Sequence, residues 1–204
     1  MPDPIEPDHR PHPETTPPAS GGQLAPTTPE RDVYDAIAEH LETQAAAVFD
    51  PENNLVAALL NLDATQAAAV LDYVQDDDLQ AHMPRVTIGL IRQLAAAGSD
   101  PTPQAVAARA RGHLAATPRP SHHAVIMYLA NIYTTRLPLT AWADAAQVVE
   151  DSYRRSFAEH GARMEQMADA YASITDLEQV TGDAVRLWRN MRQRLAQLRA
   201  HPHT

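Results

Sequence analysis

Along most of this chain the apolar residues recur at steps of three and four, the period of a helix face. Thr28-Pro29-Glu30 reads as a helix start, and Val33, Ile37, Leu41 and Val48 mark one face of a helix over 29–49. Asp50-Pro51-Glu52 is a second start of the same kind and leads to Leu55, Leu59 and Leu62. Asp63 then caps a helix with Ala67, Val70, Leu71 and Val74 on its apolar side. The run Asp76-Asp77-Asp78 closes that block. A further helix from about Pro84 carries Val86, Leu90 and Leu94, and Gly98 stops it. Thr102-Pro103 opens the next, with Val106, Ala110 and Leu114. Pro118 and Pro120 break it. Ser121 caps another, which places Val125, Ile126, Leu129 and Ile132 on one side and ends at or before Pro138.

The longest pattern begins near Thr140. Trp142, Ala145, Val149, Tyr153, Phe157, Met164, Met167 and Tyr171 continue it, which predicts about 30 residues of helix, about 45 Å long. Gly161 is expected to bend or break it. Thr175-x-x-Glu178 has the form of a capping box, and a last helix to about Ala200 carries Val185, Leu187, Trp188, Met191, Leu195 and Leu198, with an interruption expected at Thr181-Gly182. Val, Ile, Tyr and Phe never form alternating runs bounded by turns, so the fold class is all-α.

Composition sharpens this reading. Hydrophobic residues are 44% of the 204 but aromatics only 5%, so much of the apolar content is Ala, which suits close-packed helices. There is no Cys, which removes disulfides, thiolate metal sites and cysteine nucleophiles. Residues 1–28 are dense in Pro with little to bury and are expected to be a disordered tail, a solvated extension more than a docking peptide. No apolar run approaches the roughly 20 residues of a membrane span, and Met1-Pro2-Asp3-Pro4 lacks the features of a secretory signal, so the cytoplasm is the expected compartment.

The formal net charge is -10, which disfavours general binding to nucleic acid. All the positive charge is Arg, with no Lys. Neither GxxxxGK[ST], GxGxxG nor GxSxG occurs, which leaves nucleotide hydrolysis and the common hydrolase nucleophile without support. The histidine groups (His9 with His12, His122 with His123, His201 with His203) lack the i, i+3 or i, i+4 spacing and the supporting carboxylates of a helical metal site. Asp76-Asp77-Asp78 lacks the alternation of a calcium loop and reads as a solvated, helix-capping turn. Glu159, Glu165 and Asp169 alternate with Arg154, Arg155 and Arg163, as surface ion pairs do. No enzyme chemistry, cofactor or metal is expected. The apolar and Arg-rich last helix is the most suggestive feature. Trp188 with Arg186, Arg189, Arg192, Met191 and Leu195 has the composition of a partner-binding surface, set against an ordinary amphipathic helix on its own core. A DNA-binding regulator using the same arginines is the alternative. The long helix overhangs a small domain, which points to a homodimer through Tyr153, Phe157, Met164 and Met167.

Taken in order, the helices resemble the N-terminal domain of DnaB-type replicative helicases. The resemblance runs from about Asn53 to Ala172, with an extension to about Leu198. It is carried by Asn53-Asn54-Leu55-Val56-Ala57-Ala58-Leu59-Leu60, by Asp77-Asp78-Leu79 through Ile91-Arg92-Gln93-Leu94-Ala95-Ala96-Ala97-Gly98, and by Thr102-Pro103-Gln104-Ala105-Val106. Met127-Tyr128-Leu129-Ala130, Val148-Val149-Glu150 and Arg154-Arg155 continue it. Ala57 stands where that family usually has Gly, Leu79-Gln80 replaces an aromatic pair, and Pro84 falls near a usual His. The resemblance implies a helical bundle with a long helix and a C-terminal linker-type helix, pairing through a helical hairpin, and contact with a replicative helicase or primase. No motor domain follows in this sequence, so a stand-alone adaptor is implied. The expected organisation is a disordered tail over 1–28, a bundle over 29–172, a linker-type helix over 173–200 and a disordered end over 201–204.

Overall fold

In a computed structural model, the described residues are Ala38, 50–113, 120–133 and 140–201. The chain divides into two units, Met1–His40 and Leu41–Thr204, and apart from Ala38 all described residues lie in the second. The Pro-rich tail and most of the expected 29–49 helix, Thr28, Leu114, Pro118, Pro138 and 202–204 fall outside them. The described residues form seven α-helices and no strand: α1 (Pro51–Leu59), α2 (Ala64–Leu71), α3 (His82–Ala96), α4 (Pro103–His113), α5 (His122–Ile132), α6 (Ala141–Asp169) and α7 (Ile174–Ala200), with a 3-10 turn at Asp76–Asp78.

Five of the seven starts are fixed by a short polar side chain that takes an otherwise unpaired backbone N–H, while α3 and α6 begin after Ala81 and Thr140 without such a bond. Asp50 accepts from the N–H of Glu52 at 2.9 Å, and Pro51 occupies the first turn of α1, where its missing N–H costs nothing. Asp63 accepts from Gln66 N–H at 2.7 Å, and Gln66 Oε1 returns the bond to Asp63 N–H at 3.5 Å. Thr102 caps Ala105 at 3.2 Å and Ser121 caps Ala124 at 3.2 Å. At the end of α3, Gly98 takes φ +67°, and Ser99 N–H reaches back to Leu94 O at 3.0 Å, a turn that a side chain at Gly98 would strain.

The core is built around α1. Every residue from Asn54 to Leu60 is buried, so this helix is apolar on all sides and is walled in by α3, α5 and α6. Leu55, Leu59, Leu79, Ile88, Leu90, Ile91, Val106, Val125 and Val148 are among its largest enclosed side chains, each contributing about 1.5–3 kcal/mol. Polar ties fix the register. Tyr128 donates to Asn53 Oδ1 at 2.7 Å, joining α5 to α1, and burial, then the nearby carboxylates of Asp50 and Glu52, push its phenol far above the usual range. Glu52 accepts from Gln80 N–H at 2.6 Å and Ala81 N–H at 2.9 Å, which pins the extended link into α3.

The second half departs from the sequence reading at several points. Gly161 neither bends nor breaks the long helix, which runs unbroken from Ala141 to Asp169. The helix-propensity cost of one Gly, about 1 kcal/mol, is small beside the packing of the helix along its neighbour. Likewise α7 passes through Thr181-Gly182 without interruption, held by its packing along α6, and the Thr181 hydroxyl donates to Leu177 O at 2.8 Å within the helix. The cap of α7 is Ser173, two residues before the expected Thr175: Asp176 N–H donates to Ser173 Oγ at 3.1 Å. Ile126 is exposed, while Val125, Leu129 and Ile132 face inward. His201, expected in a disordered end, stacks on Trp142 with ring centroids 3.7 Å apart.

Candidate protein-interaction surface

The α6–α7 pair is a helical hairpin. Ala170 to Ser173 turn the chain, and α7 returns along α6 in antiparallel register. Arg199 meets Glu150, Phe157 stacks on Trp188 with centroids 4.4 Å apart, and Thr181 Oγ1 lies 3.6 Å from Met164 Sδ. The far end of the long helix therefore packs on the last helix of its own chain, not first on a second copy. On α6 the buried positions lie only toward the bundle, between Ala141 and Ser152, and on α7 they are Ala184, Met191, Arg194 and Leu198, with Ala184 farthest out along the hairpin. The segment 173–200, expected as a linker-type helix, has its C-terminal half built into the bundle wall.

Beyond the bundle the hairpin projects with its apolar side thinly covered. Phe157 is 52% exposed, Tyr171 95% and Ile174 76%, and Leu187 is exposed as well. Tyr153, Met164 and Met167 are half-buried along the same seam. The expected self-association residues are thus brought together on one element, partly spent on the intrachain seam and partly open. At the tip Tyr171 has φ +55°, and Ala172 N–H bonds back to Met167 O at 3.0 Å. This is a helix-ending turn whose left-handed position ordinarily belongs to Gly; a side chain there costs about 1–2 kcal/mol.

The residues expected to bind a partner divide in two. Met191 is buried and Leu195 packs against the core, so both serve the fold of their own chain. Trp188 is half-buried against Phe157 and His160, with its Nε1 buried and no acceptor among the described residues. Arg186, Arg189 and Arg192 are exposed on the outer side, and Arg186 pairs with Asp183 one turn away.

The acidic turn is not simply solvated. Asp78 is 2% exposed and accepts a two-pronged bond from the buried Arg194, Nη1 to Oδ2 at 2.5 Å and Nη2 to Oδ1 at 3.1 Å. Arg194 also donates to Tyr73 O at 3.0 Å and Asn190 Oδ1 at 3.2 Å. Asp76 pairs with Arg92, and Arg155 donates to the carbonyls of Asp78 at 3.0 Å and Asp77 at 3.3 Å. Three arginines from three helices thus grip one short turn and seat the foot of the hairpin. The signal in the sequence was Arg194 itself. It falls on the stripe of Ala184, Met191 and Leu198, where a lone charge needs a buried partner.

Two concavities flank this arrangement. A cleft of about 480 Å³ lies between the acidic turn and the hairpin foot, lined by Leu79, Arg85, Ser152, Arg155, His160 and Met191 among others. An apolar groove of about 300 Å³ lies between α4 and α5, lined by Pro103, Ala107, Ile126, Leu129 and Tyr133. Among the described residues no helix is long and apolar enough to cross a membrane.

No family model and no curated protein matches the sequence. A solved structure does: the N-terminal domain of DnaB helicase from Mycobacterium tuberculosis matches with a TM-score of 0.51 and 19% identity, over 69% of this chain and 95% of that one. The chain is therefore an all-α bundle with the fold of the DnaB helicase N-terminal domain.

Proposed function

We propose that this chain is a non-catalytic protein–protein interaction module of the replication machinery, which pairs with a second copy through its hairpin and contacts a replicative helicase or primase as an adaptor. The observation that carries this reading is the hairpin itself. A protein gains nothing from holding Phe157, Tyr171 and Ile174 in water, and exposed apolar side chains aligned on one projecting element mark a surface that another protein covers. The fold shared with a helicase domain supports a replication role, and a cytoplasmic location would suit that role. Arg186, Arg189 and Arg192 form the polar rim of that surface, and Trp188 stiffens it from beneath.

The test is binding of the purified chain to purified replicative helicase and to primase, measured by surface plasmon resonance, with the wild type compared with Ile174→Glu and with Arg186→Glu, Arg189→Glu, Arg192→Glu combined. Saturable binding to either protein, weakened by these surface changes while the helical circular dichroism stays the same, supports the adaptor reading. No binding to either overturns it. Steeply salt-dependent binding to duplex DNA that the Arg changes abolish would replace it with the DNA-binding reading. Ending the chain at Ser173 is a poor probe, because it would strip Arg194 from Asp78 and uncover the core that Met191 and Leu198 close.

A further inference from the structure

The cleft at the hairpin foot gathers charges of both signs that do not pair with one another. Its volume, about 480 Å³, is in the range of small-molecule sites. The acidic turn, the start of α3, the middle of α6 and α7 at Leu187 and Met191 wall it. Asp78 and Arg194 within it already satisfy each other. Arg85 and Arg155 are left over. Arg85 donates to Leu79 O, and Arg155 to Asp78 O at 3.0 Å and Asp77 O at 3.3 Å, each through Nη2 alone. Neither meets a carboxylate among the described residues, and most of the N–H donors of each guanidinium are unused. Glu159 also lines the cleft, four residues after Arg155 and four before Arg163, spacings at which helical ion pairs form. It pairs with neither, because Arg155 is drawn to the turn's carbonyls, and the Asp77 carboxylate on the same cleft has no cation either.

Neutral groups with spare hydrogen-bonding capacity line the same cleft. Ser152 is 4% exposed, and its hydroxyl makes no hydrogen bond among the described residues, not even the common one to a carbonyl one turn back in its own helix. A nearly buried hydroxyl without a partner is costly to the free chain, and only what enters the cleft can supply the bond. His160 Nδ1 lies 2.8 Å from Ser156 O and must donate to it, which leaves Nε2 as an unused acceptor in the neutral ring.

We infer that the cleft binds a free α-amino acid with an uncharged polar side chain. A plain anion would meet Arg85 and Arg155 but also Asp77 and Glu159, and a plain cation the reverse. A ligand that carries both signs on neighbouring atoms satisfies both sides at once, and its zero net charge matches a cleft whose free charges balance. A peptide end offers only one of the two charges, so a free amino acid fits where a chain terminus does not. The α-carboxylate takes the unused N–H groups of Arg155 and Arg85. The α-ammonium takes Glu159 or Asp77. The polar side chain takes the Ser152 hydroxyl and His160 Nε2, and its hydrocarbon part lies on Leu187 and Met191. A ligand so held ties both arms of the hairpin to the turn that seats them. The site does not include Phe157, Tyr171 or Ile174, so the inference does not depend on the proposed partner binding.

The full chain is titrated with L-serine, L-asparagine and L-glutamine by isothermal titration calorimetry, each beside the amine and the acid that result from removing one of its two charged groups. The expected result is saturable binding of at least one amino acid, about ten-fold tighter or more than its amine or its acid. That ligand should also raise the melting temperature, because it binds the folded chain alone. Glu159→Gln changes an exposed side chain and should weaken binding about ten-fold while the helical circular dichroism stays the same. Ser152→Ala removes a hydroxyl that the free chain does not use, so the variant should melt no lower without ligand yet bind the amino acid more weakly. A purely structural role for Ser152 would give the opposite pattern, lower melting with affinity unchanged, and would overturn its place in the site. No binding of any of the three at millimolar concentration overturns the inference. So does equally tight binding of the amine or the acid, which would make the cleft a simple ion site.

Discussion

Replacing Asp78 with Ala removes one carboxylate and leaves Arg194 charged in a nearly closed space. In the folded chain that carboxylate accepts both prongs of the guanidinium, at 2.5 and 3.1 Å, and the N–H of Gln75 at 2.7 Å. The Arg194 side chain is 9% exposed, so water cannot take over the lost bonds without opening the hairpin foot. Tyr73 O and Asn190 Oδ1 still hold it, but neither carries a full charge. Breaking one side of a buried pair of this kind costs about 3–5 kcal/mol. Whole domains are stable by about 5–15 kcal/mol, so the variant should be close to marginal. At about 2–4 °C per kcal/mol for a domain of this size, the melting temperature should fall by roughly 10 °C. Urea and thermal unfolding followed by circular dichroism measure the free-energy loss and the shift in melting temperature. Asp183→Ala is the control, since its pair with Arg186 lies on the surface and is worth at most about 1 kcal/mol. Replacing both partners together, Asp78→Leu with Arg194→Met, should recover most of the loss, because no charge is left stranded. If Asp78→Ala costs no more than Asp183→Ala, the buried clamp does not seat the hairpin and the reasoning is wrong.

Other consequences follow from the same structure. Tyr128 keeps its proton when folded and loses it above about pH 10 when unfolded, so the folded state binds the extra proton and stability must fall as pH rises past that point, by about 1.4 kcal/mol per unit for this one group. Tyr128→Phe should flatten that alkaline slope in urea midpoints, while costing about 1 kcal/mol at neutral pH because Asn53 Oδ1 loses its donor. Glu52→Ala leaves the N–H groups of Gln80 and Ala81 without their acceptor and should cost about 1–3 kcal/mol, seen as faster hydrogen exchange at the start of α3. Gly89→Ala, inside α3 with nothing within 4 Å of the new methyl, should stabilise by up to about 1 kcal/mol in the same unfolding assay.

Much of the fold could be read from local chemistry. Asp50, Asp63, Thr102 and Ser121 cap where their neighbours announce it, because a cap is a bond between residues two or three apart. Gly98 ended its helix for an equally local reason. The errors also have a pattern. Gly161 and Thr181-Gly182 carry weak propensity penalties that long-range packing between two arms overrides, so neither interrupts a helix. The true cap at Ser173 was hidden because the turn before it places Tyr171 in a conformation that sequence rules assign to Gly. The interaction surface was legible in composition but not in orientation. Trp188, Met191 and Leu195 looked like partner contacts, and only the fold shows that Met191 and Leu195 point home while Phe157, Tyr171 and Ile174 face outward. The Asp78–Arg194 pair spans 116 residues, and its partner choice is decided by the tertiary fold alone.

Sedimentation velocity shows whether the projecting hairpin is an interface. The wild-type chain and an Ile174→Glu variant are run from low to tens of micromolar concentration. The wild type should form a concentration-dependent dimer that Ile174→Glu shifts to monomer with its helical content intact. A wild type that sediments as monomer at every concentration, or a dimer that the variant leaves unaltered, would contradict it.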